Sequence, residues 1–285
     1  MDYPKPPEPF LEVKVHDLTA NPPVAALCAG YEGGKWRATQ LAAHVMEWLP
    51  EFCLNAQEVR NLNSSNALKM LRKAARQVYQ TEKHKNRGEF GEIFLHIALR
   101  QIYNSIPAIS KIYYKDSVNG TVKGFDAVHV IKNDSKLELW LGEVKFYPEY
   151  NRAINDVVKE LVEHTKDDYL RNENMFILNK IDDKFSFYPE LSKLLDTNTS
   201  LDDIFDCVCI PILITYDSET LKNNNKRTDK FNEELKVEVM RINQKMYDKL
   251  SQIKLPPVRI HLFLLPLQDK SILINALDKE LKDLQ

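Results

Sequence analysis

Apolar positions along the chain fall into distinct rhythms. Phe231, Leu235, Val239, Ile242, Met246 and Leu250 recur at spacings of three and four, which predicts one long amphipathic helix. Asn151–His164 keeps the same period, with Ile154, Val157, Val158, Leu161 and Val162 on one face. Nearly unbroken apolar runs at 206–216 and 258–265 predict strands buried on both faces. Between them, Ser110–Val118, Val122–Lys132 and Leu137–Phe146 read as three strands, turned by Asn119-Gly120 and by Asn133-Asp134-Ser135. Glu89–Tyr103 predicts a helix stopped before Pro107, preceded by helices at about 35–49, 56–62 and 64–80 and balanced by a closing helix at 270–283. The first 25 residues are Pro-rich and read as extended, with a strand at Leu11–Val15, and Gly30–Gly34 reads as a turn.

The order helix–strand–strand–strand–helix–strand makes a mixed α/β core. Three segments follow from it: a mostly helical region at 1–86, a core at 87–216, and a helix–strand–helix extension at 217–285 packed on that core. Composition adds little: 285 residues, 44% apolar and 28% charged, is ordinary for a globular chain. No apolar run is long enough to span a membrane, and the N-terminus has no secretory pattern, so a cytoplasmic protein is expected. Cys28, Cys53, Cys207 and Cys209 lack metal or disulfide spacing. A net charge of −2 excludes a polycation but leaves room for a local basic patch. Lys69, Arg72, Lys73, Arg76, Lys83, Lys85 and Arg87 form one against the single acid Glu82. Arg152 opens the helix after the third core strand and is a further candidate for a phosphate contact, so a nucleic acid is a candidate partner, the plain alternative being a solvated basic helix face.

The segment richest in chemistry is Leu137-Glu-Leu-Trp-Leu-Gly-Glu143-Val-Lys145. Side chains alternate along a strand, so the face carrying Leu137, Leu139 and Leu141 runs directly into Glu143 and Lys145. One strand earlier, Asp126 shares a face with Val122, Val128 and Val130. Pairing around the Asn133 turn brings Asp126 and Glu143 side by side. Two carboxylates on a core face are costly unless compensated, and a divalent cation, Mg²⁺ or Mn²⁺, compensates both. Lys145 is then placed to orient or deprotonate a water and to stabilise charge on a phosphoryl oxygen. The plain alternative is a buried acid–lysine pair that merely holds the sheet.

Gly124-Phe125-Asp126, Glu143-Val144-Lys145 and the seventeen positions from Asp126 to Glu143 resemble the PD-(D/E)xK nuclease superfamily, with Phe125 where that family's proline stands. The resemblance implies a restriction-endonuclease-like core and a further acid from its first helix. Arg87-Gly88-Glu89-Phe90-Gly91-Glu92 matches that pattern at Glu92 better than at Glu89. Glu89, Glu92, His96, Arg100 and Tyr103 share a polar stripe that reads otherwise as solvated surface. Together R-G-E-F-G-E, G-F-D-A-V-H, L-G-E-V-K-F-Y and V-R-I-H-L-F-L-L-P-L resemble the nuclease subunit of Hachiman-type anti-phage systems. That implies a metal-dependent deoxyribonuclease with Asp126, Glu143 and Glu92 at the metal, restrained by a helicase subunit encoded nearby. A catalytically silent assembly subunit with a nuclease-like core is the alternative.

Overall fold

The computed structural model describes residues 5–79, 88–109, 124–133 and 136–285. Strands β1 (Glu12–Asp17) and β2 (Val24–Cys28) lead to a short hairpin, β3 (Tyr31–Glu32) and β4 (Lys35–Trp36). Helices α1 (Ala38–Cys53), α2 (Ala56–Arg60), α3 (Ala67–Tyr79) and α4 (Gly88–Tyr103) follow, then β5 (Ile106–Ile109), β6 (Ala127–Asn133) and β7 (Lys136–Phe146). Four helices come next: α5 (Tyr150–His164), α6 (Asp167–Lys180), α7 (Tyr188–Leu194) and α8 (Leu201–Cys207). Beyond them lie β8 (Val208–Asp217), α9 (Glu219–Asn223), α10 (Asp229–Leu250), β9 (Arg259–Leu267) and α11 (Lys270–Asp283).

Among the described residues, seven strands form one mixed sheet in the order β1-β2-β9-β8-β7-β6-β5. The meander β5–β6–β7 is antiparallel, β7, β8, β9 and β2 run parallel, and β1 closes the other edge antiparallel. The central strands β8 and β9 are mostly apolar and buried along most of their length because helices cover both faces. Residues from all three sequence segments thus enter one sheet. Thr228 and Asp269 cap α10 and α11 by accepting backbone N–H bonds from Phe231 and from Ser271 and Ile272, which fixes the helix starts where the periodicity places them.

Helix α4 lies on one face of β7 and runs antiparallel to it. Two glycines permit the close approach: a Cβ on Gly91 would stand 2.6 Å from Val144 Cγ1, and one on Gly142 would stand 2.5 Å from Leu95 Cδ2. At the far end, Tyr103 meets Trp140 with ring centroids 4.9 Å apart. Residues 142, 144 and 146 therefore face α4, which sends Glu143 and Lys145 to the opposite face, under α5.

The polar stripe of α4 departs from the expected solvated surface. His96 and Arg100 are each only 2% exposed. They face α1, where Glu51 accepts from Arg100 Nε at 2.6 Å and lies 3.0 Å from His96 Nε2. His96 Nδ1 is 3.3 Å from His129 Nε2, whose Nδ1 is 2.8 Å from Ser105 Oγ. Arg100 closes the ring by donating to the Ser105 carbonyl at 2.6 Å. Glu51 is thus paired with Arg100 and lies within ion-pair distance of His96, and His96, His129 and Ser105 continue the contact inward. A solvated stripe lacks such a partner; here α1 supplies Glu51.

Other departures are local. The sequence pattern does not predict β2, since Val24–Cys28 follows two prolines and contains two alanines. The helix at 35–49 begins later and continues through Pro50 to Cys53. The strand expected from 110 is preceded by β5, which includes Pro107, whereas 110–118 and the Asn119-Gly120 turn lie outside the described residues. On α3, Leu68 is 59% exposed.

Candidate active site

Glu143 and Lys145 stand two apart on β7, buried to 2% and 7% exposure. The register Ala127↔Gly142 puts Asp126, one step before β6, across from Glu143. Asp126 N–H donates to the Gly142 carbonyl at 2.7 Å, and Asp126 Oδ2 accepts from Val144 N–H at 2.8 Å. The acid is thereby fixed, half-buried, at the mouth of the cluster. Helix α5 supplies the remaining members: Glu160 accepts from Lys145 Nζ, and His164 Nδ1 contacts Glu143 Oε1.

The electrostatics of the cluster are tense. Burial pushes the Glu143 carboxyl up to about 7, the His164 contact opposes that, and the like charges of Asp126 and Glu160 add to it. Burial alone would lower the Lys145 ammonium, but Glu160, Glu143 and Asp126 outweigh it and hold Lys145 above its ordinary value. His164 behaves the same way: burial lowers it, and Glu143, Glu160 and Asp126 raise it further. The histidine ring is itself held by aromatics. Tyr169 stacks on it at 4.4 Å and 14°, and Phe125 meets it edge-on at 5.3 Å.

The structure thus brings Asp126, Glu143 and Lys145 together, as the alternation along β6 and β7 predicts. Glu92 is half-buried on α4, next to Gly91 and hence at the Val144–Phe146 end of β7. Among the described residues, however, no three His, Cys, Asp or Glu side chains are grouped so as to hold a metal ion. The donor set that fits a cation is therefore the pair Asp126 and Glu143. Two carboxylates suffice for an ion that keeps several waters, as Mg²⁺ does. Arg152 is exposed at the start of α5, its guanidinium 5.0 Å from the Tyr147 ring centroid and its Nε 3.7 Å from Asp156 Oδ2. On α3, Lys69, Arg72, Lys73 and Arg76 are exposed, with Lys73 paired to Glu58. Lys83, Lys85 and Arg87 lie outside the described residues.

Motif spacing does not single out Glu160 and His164. A signal for them is nonetheless present: with Val157 and Leu161 they complete an i, i+3, i+4, i+7 stripe, so two polar residues occupy the apolar face of α5. A cleft of about 760 Å³ lies at the other end of the strands, lined among others by Tyr103, Trp140, Arg259 and His261. Arg259 there is paired with Glu138 at 2.8 Å, and burial, with His16 nearby, pushes His261 down to about 4. Among the described residues that cleft has one carboxylate, already neutralised, and no counterpart of the Asp126–Glu143 pair.

What fold and cluster define together is a mixed α/β protein with two acids and a lysine gathered on a buried sheet face. Within that class the chain is placed by comparison: a family model described as HamA matches residues 7–281, and the chain belongs to the HamA family. This agrees with the Hachiman-type resemblance of its motifs. The chain is also similar to "Anti-bacteriophage protein A" of Escherichia coli (strain K12), 23% identical over 276 residues that cover 92% of this chain and 50% of the relative. The chain therefore spans about half the length of the curated relative it matches. Among the described residues, no helix is long and apolar enough to cross a membrane.

Proposed function

We propose that this chain is a metal-dependent deoxyribonuclease acting in anti-phage defence. One observation carries the reading: Glu143 and Lys145 are buried side by side on one face of β7 with Asp126 fixed across from them. Charges are not retained on a buried sheet face without a use that repays their desolvation, and a structural ion pair does not require a second carboxylate. The order α4, β5–β7, α5, β8 supports a PD-(D/E)xK core, with α6–α8 inserted between its last helix and last strand. Family membership and the name of the relative support the defence role.

In this reading Asp126 and Glu143 would hold Mg²⁺ or Mn²⁺, while Glu92, on α4 across the sheet from that pair, stands apart from the metal. The bound ion supplies Lewis acidity toward a phosphoryl oxygen and a more acidic water. Lys145, charged and aimed at the same space, stabilises the negative charge that develops on the phosphoryl group and orients the attacking water. The exposed bases of α3, with Lys83, Lys85, Arg87 and Arg152, steer the DNA backbone toward that edge. These contacts are to phosphate, so cleavage is indifferent to sequence. Indiscriminate cleavage calls for restraint, and we assign it to a helicase subunit encoded nearby, in the cytoplasm. A catalytically silent assembly role has no observation in its favour.

The test is cleavage of linear and plasmid DNA by the purified chain, alone and with its neighbouring gene product. Activity is expected to vanish in chelator and return with Mg²⁺ or Mn²⁺, while Ca²⁺ supports binding but little cleavage. Undiminished cleavage in excess chelator defeats the metal reading. Absence of cleavage under every condition, with DNA binding intact, favours the silent alternative.

A further inference from the structure

We infer that His164 is a positioning residue of the candidate site, holding the Glu143 carboxylate in the orientation from which it takes a divalent cation. The inference rests on the nuclease reading above but concerns a residue outside the motifs that define it.

The geometry is specific. His164 Nδ1 reaches Oε1 of Glu143, which leaves Oε2 as the oxygen free to turn toward Asp126. Metal-ligating carboxylates are commonly held by such an outer hydrogen bond, which fixes the ligand's rotamer before the ion arrives. The ring is not merely nearby. Tyr169 lies parallel to it at 14° and Phe125 closes its edge, so rotation of the imidazole is blocked on two sides. Phe125 immediately precedes Asp126, so one short segment places the second acid and locks the histidine that steers the first. The stem of α5 is anchored by Val157 and Leu161, both fully buried, two turns and one turn before His164. A histidine needed only for packing would not be turned so that its nitrogen meets the buried Glu143 carboxylate on this face of β7.

The N–H donor is the part that matters, and it can be separated from the ring. His164→Phe keeps an aromatic ring against Tyr169 and removes the donor. His164→Asn keeps a donor near the Nδ1 position and removes the ring. Binding of Mn²⁺ to the full chain, followed by electron paramagnetic resonance and by calorimetry, reads the site without depending on turnover. The expected result is that His164→Phe binds Mn²⁺ about ten- to a hundred-fold more weakly than wild type, while His164→Asn stays within a few-fold. Thermal unfolding of each variant confirms that the protein assayed is folded. Wild-type affinity in folded His164→Phe overturns the inference, as does equal loss in both variants, which would make the ring rather than the donor responsible. If His164→Phe does not fold, His164→Asn decides, since the inference requires it to retain binding. Glu143→Gln separates the role of His164 from that of the site. Loss of Mn²⁺ binding in Glu143→Gln but not in His164→Phe removes only the role of His164. Undiminished binding in Glu143→Gln, or none in wild type, removes the site reading and this inference with it.

Discussion

Glu51 and Glu143 are both buried carboxylates in contact with a histidine, and their surroundings drive them in opposite directions. Burial raises the Glu51 carboxyl, but the His96 bond and the Arg100 guanidinium outweigh it and hold the acid below its ordinary range. At Glu143 burial prevails, aided by Asp126 and Glu160, and the acid is pushed up to about 7. The difference is which effect leads: His96 and the Arg100 guanidinium overcome burial at Glu51, whereas burial leads at Glu143 and Asp126 and Glu160 add to it. The first cluster sets a guanidinium against its acid and ties α1, α4 and β6 together. At the second, burial and the neighbouring carboxylates keep the proton on Glu143 up to about 7, a displacement of the kind that gathers at functional sites.

The sharpest way to break this comparison is Glu51→Ala. It strands the buried Arg100 charge, so we expect a loss of about 3–5 kcal/mol in unfolding free energy, read by denaturant titration. A loss under about 1 kcal/mol would mean the ring is not structural. Glu143→Gln and Lys145→Met should do the reverse. Nuclease activity falls at least several hundred-fold, on the order of 3–4 kcal/mol of transition-state stabilisation, with the fold intact. Cleavage at the wild-type rate by Glu143→Gln with Mg²⁺ present would show that Glu143 is not at the site.

Acidity separates the clusters by sign. Glu143 keeps its proton to about 7 when folded but releases it near 4.5 when unfolded, so stability from this group is lost as pH rises between those values. His164 is also raised, so its share falls with rising pH as well. His129 is the opposite case: burial first, then His96 and Arg100, holds it well below 6.5, so folded protein loses stability as pH drops below that value. Thermal unfolding from about pH 5 to 8 should therefore show wild type losing ground to Glu143→Gln as pH rises, at about 1.4 kcal/mol per unit of displaced pKa. A pH-independent difference would contradict the electrostatics given for Glu143.

A smaller change touches both clusters at once. Gly142→Ala drives a methyl into Leu95, the neighbour of His96, on the strand that carries Glu143. We expect about 1–3 kcal/mol of destabilisation with a partial loss of activity. An unchanged melting temperature would show that α4 yields more easily than the contact implies. Arg152→Ala, remote from Glu51 and exposed, should leave stability within about 0.5 kcal/mol. It should weaken DNA binding and reduce the salt slope by about one. An unaltered slope would place the DNA elsewhere.

How much of this is legible in the sequence depends on distance along the chain. The long helix, β9 and the closing helix are readable because period and capping are local signals. Asp126, Glu143 and Lys145 are readable because strand alternation is also local, and one turn brings the two strands together. β2 escapes because alanine carries little strand preference and two prolines precede it. Helices α6–α8 escape because polar residues interrupt their apolar faces. His164, Glu160 and the Glu51 ring require knowledge of which helix covers which face. No spacing in the sequence announces that α1 meets α4, or that α5 lies over the acids.

The place of β9 in the sheet has a consequence in time. Val24 of β2 pairs with Leu262 of β9, and β9 joins β2 to β8. During translation β1 and β2 leave the ribosome well before β9 and lack that partner strand until it emerges, on the order of ten to fifty seconds later at ordinary elongation rates. Until then the β8 edge beside the candidate site strand β7 also stays open. A ribosome that stalls before β9 would release a chain with two unpaired sheet edges, an aggregation-prone product rather than a freely diffusing nuclease. For an enzyme proposed to be dangerous to its own cell, closure of the sheet by β9 ties a finished site to synthesis that has passed that strand.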